Sequence, residues 1–152
     1  MAPSPRSLAL RLLSRRDYTA AELREALIDR DCARDDVEEV VVRLTADRLV
    51  DDRRVASAHV RTASAIKKRG RIRIARELEA RGLDRALIRD VLASVPAEDE
   101  AASIAQILKQ KRVPASLDPA SHRRIFGHLM RRGFSADAIN KALRSRASRD
   151  IE

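Results

Sequence analysis

The sequence predicts an all-α protein built as three tandem three-helix modules in an elongated, curved row. Three observations carry this prediction. The composition is rich in Ala, Leu, Arg, Glu and Asp with only four Gly and five Pro, which favours helix and leaves no segment that reads as strand. Two Phe, one Tyr and no Trp supply little aromatic volume for one large core, and several small aliphatic clusters suit the chain better. The string LEARGL at 78–83 returns 51 positions later as LMRRGF at 129–134, and 51 positions earlier stands LIDRDC at 27–32, which has lost the glycine. An internal repeat of this length is the signature of stacked helical units.

Further columns fall into line at the same period without gaps. They are Leu23, Ile74 and Ile125; Leu27, Leu78 and Leu129; Val37, Ile88 and Ile139; Val41, Leu92 and Leu143. With 44% apolar residues, a random column is wholly apolar roughly one time in twelve, so several at helical spacing mark a true repeat. Arg30, Arg81 and Arg132 also share a column.

In chain order, residues 1–6 read as a loose tail, and an amphipathic segment at 8–13 opens module 1, which spans 7–50. Thr19-Ala-Ala-Glu22 has capping-box spacing and starts a second helix with Leu23 and Leu27 on one face. Asp31 ends it in a left-handed turn, and the series from Val37 forms a third helix. The acids at Val50-Asp51-Asp52 open module 2, spanning 51–95, with helices over 55–66, around Ile74 and Leu78, and from Ile88. Its turn falls at Gly82. Proline at 96 precedes module 3, spanning 98–144, whose Asp118-Pro119 supplies an N-cap with proline at the first helical position and whose turn falls at Gly133. Residues 145–152 read as a second tail. Modules of about 45 residues have little core of their own, so neighbours are expected to stack.

A net charge of +9 points to a polyanionic partner, either nucleic acid or an acidic protein surface. The charge is uneven. Module 1 holds eight basic and ten acidic side chains, module 2 twelve and six, and module 3 nine and five. In module 2, Arg61, Lys67, Lys68, Arg69, Arg71, Arg73 and Arg76 form a run without an acid, and helical spacing that turns Ile74 and Leu78 inward places Arg69, Arg73 and Arg76 on an outward stripe. In module 3, Arg124, His128 and Arg131 form a comparable stripe with Arg123 and Arg132 beside it. These arginines and lysines are the candidate partner-binding residues. A basic face kept only for solubility is the plain alternative.

Catalytic, cofactor and metal sites are not expected. The chain lacks a phosphate-cradling glycine loop, a metalloprotease helix motif and paired zinc cysteines. His59 shares a face with Val55, Ala63 and Ile66, as a packed histidine does, and His122 and His128 point different ways. Cys32 shares a column with Leu83 and Phe134 and reads as a small buried hydrophobe. One cysteine excludes an internal disulfide framework, and no apolar run suits a signal peptide or a membrane span, so a cytoplasmic protein without membrane or small-molecule partners is expected.

Taken together, SRRDYTAAELREAL (14–27), LVDDRRVASAHVR (49–61) and RRGFSADAIN (131–140) resemble the RecX family of recombinase regulators. The resemblance runs in order from about residue 8 to residue 144. It implies tandem three-helix modules, no catalytic residues, and a protein that binds the RecA–DNA nucleoprotein filament in its helical groove. It further implies inhibition of ATP hydrolysis, strand exchange or filament growth, with weak direct contact to single-stranded DNA. The family usually places an aromatic residue where Val55 stands and often another near His59, which implies altered packing between modules 1 and 2 here. The competing reading is a tandem helix-turn-helix-like protein acting directly on DNA, since short helices joined by Gly turns also suit groove recognition.

Overall fold

The computed structural model describes residues 1–151, and all regular structure among them is helical. The helices are α1 (Pro5–Arg15), α2 (Ala20–Ile28), α3 (Arg34–Ala46), α4 (Asp52–Arg61), α5 (Arg71–Ala80), α6 (Arg85–Ala93), α7 (Ala97–Gln110), α8 (Pro119–Arg131) and α9 (Ala136–Arg149). One π-helical turn, Thr62–Ile66, extends α4. Three helices thus fall within each repeat, as the 51-residue period predicts.

Local chemistry explains why the repeat is visible. At each copy's turn the backbone is left-handed, with φ of 62° at Asp31, 78° at Gly82 and 97° at Gly133. The next amide reaches back to the repeated leucine: Cys32 N–H donates to Leu27 O at 3.2 Å, Leu83 to Leu78 at 3.3 Å, and Phe134 to Leu129 at 3.3 Å. This is the six-to-one bond of a Schellman cap, completed by the five-to-two bonds from Asp31, Gly82 and Gly133. The string Leu-x-x-x-Gly-apolar is therefore a helix end written out, with its apolar residue packed back on the leucine. Phe134 and Leu129 are fully buried, while Cys32 is half-buried against the core rather than within it.

Helix enters both predicted tails, at Pro5 in the first and as far as Arg149 in the second. Ser4 Oγ accepts from the Ser7 amide at 3.1 Å and Pro5 occupies the first turn, so α1 starts inside the segment read as loose. At the other end α9 continues to Arg149, and the Arg146 guanidinium donates to Val113 O, tying the extension to the end of α7. Glu152 lies outside the described residues.

The chain packs as two compact units that divide the second module. Unit 1 comprises residues 1–58 and 78–89, and its core joins Ala9 and Leu12 of α1, Leu23 and Leu27 of α2, Val37, Val41 and Leu44 of α3, and Val50. Unit 2 comprises residues 59–77 and those from 90 onward, with a core of Ile104, Ile107, Leu108, Val113, Leu129, Phe134 and Ile139. Ile74 is buried in unit 2 and Leu78 in unit 1.

Each unit contains one joint between consecutive repeats. In unit 1, Thr19 and Glu22 form the predicted capping box on α2, with the Glu22 amide donating to Thr19 Oγ1 at 3.0 Å. The same hydroxyl donates to Arg81 O at 2.7 Å, and Arg81 Nε meets Glu22 Oε1 at 2.8 Å. Asp52 Oδ1 accepts the Ala20 amide at 2.8 Å, and a Cβ on Gly82 would stand 2.4 Å from Ala21 Cβ. In unit 2 the same columns meet again. The Gly70 amide donates to Arg132 O at 2.8 Å, the Ile72 amide to Gly133 O at 3.1 Å, and the Arg71 amide to Glu100 Oε1 at 2.8 Å. An acid from the following module caps the preceding module's second helix both times. A Cβ on Gly70 would lie 2.3 Å from Gly133 O, and one on Gly133 would lie 2.5 Å from Arg73 N.

Candidate partner-binding surface

All eleven candidate residues belong to unit 2, and the structure sorts them by what already holds them. Arg69 is not on a helix, because α5 begins two residues later at Arg71. Arg69 Nη1 meets Glu77 Oε1 at 2.7 Å, Arg73 Nε meets the same oxygen at 3.2 Å, and His59 Nε2 meets Glu77 Oε2 at 2.6 Å. The Glu77 side chain is only 21% exposed. The expected stripe of Arg69, Arg73 and Arg76 is thus divided: two of its members neutralise a half-buried carboxylate, and Arg76 alone is exposed. Partial burial pushes the Glu77 carboxyl up, but the His59 hydrogen bond and the Arg69 charge outweigh it and hold the group below its ordinary value.

Arg71 and Arg132 are likewise structural. Arg71 reaches Val95 O with Nη2 and lies 3.7 Å from Glu100, both inside the joint. Arg132 Nη2 donates to Lys67 O at 2.6 Å and to Lys68 O at 3.3 Å, clamping the carbonyl end of the π-turn. Burial, then the nearby charges of Arg73 and Arg69, lower its pKa. His128, placed on the module 3 stripe by spacing, is half-buried instead. Burial first, then Lys111, Arg132 and Arg131, push its imidazole below the ordinary value, so it contributes no fixed positive charge to a surface near neutral pH.

What remains is a set of cations without an acid of their own. Arg61, Lys67, Arg76, Arg123 and Arg131 are exposed and have no carboxylate partner among the described residues. Arg124 donates to Ser121 Oγ at 3.3 Å and its charge also reaches Asp118, while the Lys68 ammonium donates to Ala65 O at 3.4 Å. The Arg132 clamp brings the end of α8, and so Arg131, against the loop of Lys67 and Lys68. Helical rise over eight residues sets Arg123 about 12 Å from Arg131 along α8. Three exposed aliphatics accompany these charges: Ile66 at the end of the π-turn, Ile72 beside Gly133, and Met130 next to Arg131. Charge counting missed them. Spacing signalled Ile72, which lies two residues before Ile74 and therefore off the face that Ile74 and Leu78 share, but it set Ile66 on the packed face of Val55 and Ala63, whereas the structure leaves Ile66 exposed.

Among the described residues no three His, Cys, Asp or Glu side chains gather as a metal site, and no helix is long and apolar enough to cross a membrane. The arrangement offers contact chemistry: a basic, partly apolar surface beside a hydrogen-bonded joint.

Comparison with known proteins bears on the family and the fold. Three family models match in series, described as the first, second and third three-helix domains of RecX, at residues 6–44, 51–92 and 98–143. The chain is 34% identical over 140 residues to a regulatory protein RecX of Trichlorobacter lovleyi, covering 88% of this chain and 89% of that one. A regulatory protein RecX of Mycobacterium ulcerans is 37% identical over 133 residues, covering 86% and 77%. The crystal structure of RecX from Lactobacillus salivarius superposes with a TM-score of 0.86 over 97% of this chain and 96% of that one at 22% identity, a likeness of fold.

Proposed function

The chain belongs to the RecX family, and from that premise we propose that it is a non-enzymatic regulator that binds the RecA–DNA nucleoprotein filament and inhibits its ATPase, strand exchange or growth. The relatives' shared description as regulatory proteins supports this reading. The observation that carries it is the separation of charges within unit 2. Arg71 and Arg132 fasten the joint and Arg69 and Arg73 neutralise Glu77, while Arg61, Lys67, Arg76, Arg123 and Arg131 have no carboxylate partner among the described residues, as a surface awaiting acidic side chains or phosphates requires. Several modules on one chain also allow contact with successive filament subunits, which gives avidity that one module lacks. A cytoplasmic site of action goes with this partner.

The test is recombinase ATPase on single-stranded DNA with the protein titrated in. Hydrolysis should fall, and unchanged hydrolysis with unchanged filament length at saturation rejects the proposal. Arg76→Glu with Arg131→Glu should weaken inhibition about tenfold or more while thermal stability stays level, since neither residue holds the fold. Binding to free duplex DNA separates this reading from direct DNA recognition, which demands a preferred site with a specificity ratio of roughly a thousandfold or more. A filament regulator shows only weak, salt-sensitive binding.

A further inference from the structure

Module 3 carries a groove of about 910 Å³ between α7 and α9, within unit 2. Its origin is legible in the repeat. Ala138 and Ala142 line it where module 2 has Leu87 and Val91, and Arg146 lines it where module 2 has the buried Val95. Ala101 and Ala105, exposed on α7, form the facing wall. Small side chains on both walls leave a slot in which a larger aliphatic residue can sit.

The groove has a direction. Arg71 binds the first turn of α7 through Glu100, and the next amide, Ile72, binds Gly133 just before α9, so both helices start at the same end. Arg146 reaches Val113, just past α7, so their later halves also lie together. Charges on the lining follow that axis. Glu98 and Asp137 stand in the first turns, whereas Lys141, Arg146 and Arg149 stand further along, against Asp150 as the acid at that end.

We propose that this groove receives an amphipathic helix of a partner protein, running antiparallel to α7 and α9. Natural helices carry acids in their first turn and bases in their last, reinforced by the macrodipole. Only the antiparallel direction sets such a helix's acidic start against Lys141, Arg146 and Arg149 and its basic end against Glu98 and Asp137. Its leucine-sized side chains, recurring every third or fourth residue, enter between the alanines. The proposal stands independently of the recombinase reading, because it draws on none of the exposed cations used there.

The test uses a synthetic helical peptide of about fourteen residues, the length of α9, with Glu in the first turn, Leu along one face and Lys in the last turn. Methyl signals of Ala101, Ala138 and Ala142 should shift and saturate with a dissociation constant of about 10–100 µM. A peptide with the charges exchanged end for end should bind about tenfold more weakly. Filling the groove with module 2's own residues, Ala138→Leu with Ala142→Val, should abolish the shifts of Ala101 while helical content is kept. The exposed Ala101→Glu should weaken binding about tenfold without touching the core. Absence of shifts at millimolar peptide, equal affinity for the exchanged peptide, or unimpaired binding to Ala101→Glu overturns the proposal. So does movement of the same signals with protein concentration alone, which would assign the groove to a second copy.

Discussion

The two joints place identical columns of the repeat in contact and hold them by opposite means. In unit 1 the second helix begins at Thr19, whose hydroxyl both caps α2 and bridges to Arg81 O, and the acid Glu22 collects Arg16 and Arg81. In unit 2 the equivalent position is Gly70, which has no side chain to cap with, and Glu22's column is filled by Arg73. The amides of α5 are instead satisfied by Arg132 O, Gly133 O and Glu100 across the joint. A side-chain joint keeps the helices apart and tolerates Ala21 between them. A backbone joint demands that both surfaces be bare, so glycine faces glycine. The difference also redistributes charge: unit 1 spends its local carboxylate on the joint, whereas unit 2 gathers Arg69, Arg73 and His59 on Glu77 and leaves the surrounding cations exposed.

The largest expected effect probes the backbone joint. Gly133→Ala places a Cβ 2.3 Å from Arg73 Cβ and 2.5 Å from Arg73 N at a φ of 97°, with backbone that cannot swing aside. Strain and overpacking together should cost about 3 kcal/mol or more. Gly82→Ala meets only Ala21 Cβ, at 2.4 Å, and should cost about 2 kcal/mol, of which Ala21→Gly in the same chain restores part. Equal losses for the two glycines in denaturant unfolding, with no rescue, would erase the distinction between the joints.

The side-chain joint is probed by Thr19→Ala. It removes the cap on α2 and the donor to Arg81 O, and Thr19 is fully buried. A loss of about 1 to 2 kcal/mol is expected. A loss of a few tenths would mean that the capping box adds little and that Arg81–Glu22 holds the joint alone.

Glu77→Gln tests the ionic cluster beside the unit 2 joint, where Glu77 gathers His59, Arg69 and Arg73, and should cost about 1 kcal/mol at neutral pH. Because the folded-state pKa of Glu77 is depressed, its stabilisation is complete above the ordinary carboxylate value of 4.5 and is lost as pH falls through the folded value. Glu22 is depressed in the same direction: burial raises it, and hydrogen bonds from Arg16 and Arg81 more than reverse this. Acid should therefore loosen the unit 1 joint and the Glu77 cluster of unit 2, and the Gln variant should show a shallower decline of melting temperature below about pH 4.5 than the parent chain. Parallel declines would mean that Glu77 titrates alike in both states.

Local signals were legible in the sequence and long-range ones were not. The helix ends at Leu27, Leu78 and Leu129 and the starts at Thr19 and Asp118 are written within six residues, and each forms as its spacing predicts. The start of α5 was obscure because Gly70 carries no capping side chain and its helix is capped by Glu100, 29 positions away. That is why helical spacing extended the basic stripe back to Arg69. The pairing of Arg132 with Lys67, 65 positions away, was hidden for the same reason. A count of charges cannot distinguish a guanidinium that clamps a carbonyl from one left to solvent. Helix enters the loosely read tails because Ser4-Pro5 is itself a start signal and Arg146 finds an acceptor at Val113.

The smallest effect bears on the missing glycine of the first copy. Asp31 adopts the left-handed backbone of Gly82 and Gly133 with φ of 62°, yet it is exposed where both glycines meet a facing residue of the neighbouring module. Two demands act on the later glycines, conformation and close approach, and only the first acts on Asp31. Conformation alone costs an aspartate about 1 kcal/mol, partly offset by the greater chain entropy that glycine loses on folding. Asp31→Gly should therefore raise stability by a few tenths of a kcal/mol in urea unfolding, opposite in sign to every substitution at Gly133. A destabilisation of 1 kcal/mol or more would show that the Asp31 side chain holds something the turn geometry does not require, and the contrast between free and docked turns would have to be drawn elsewhere.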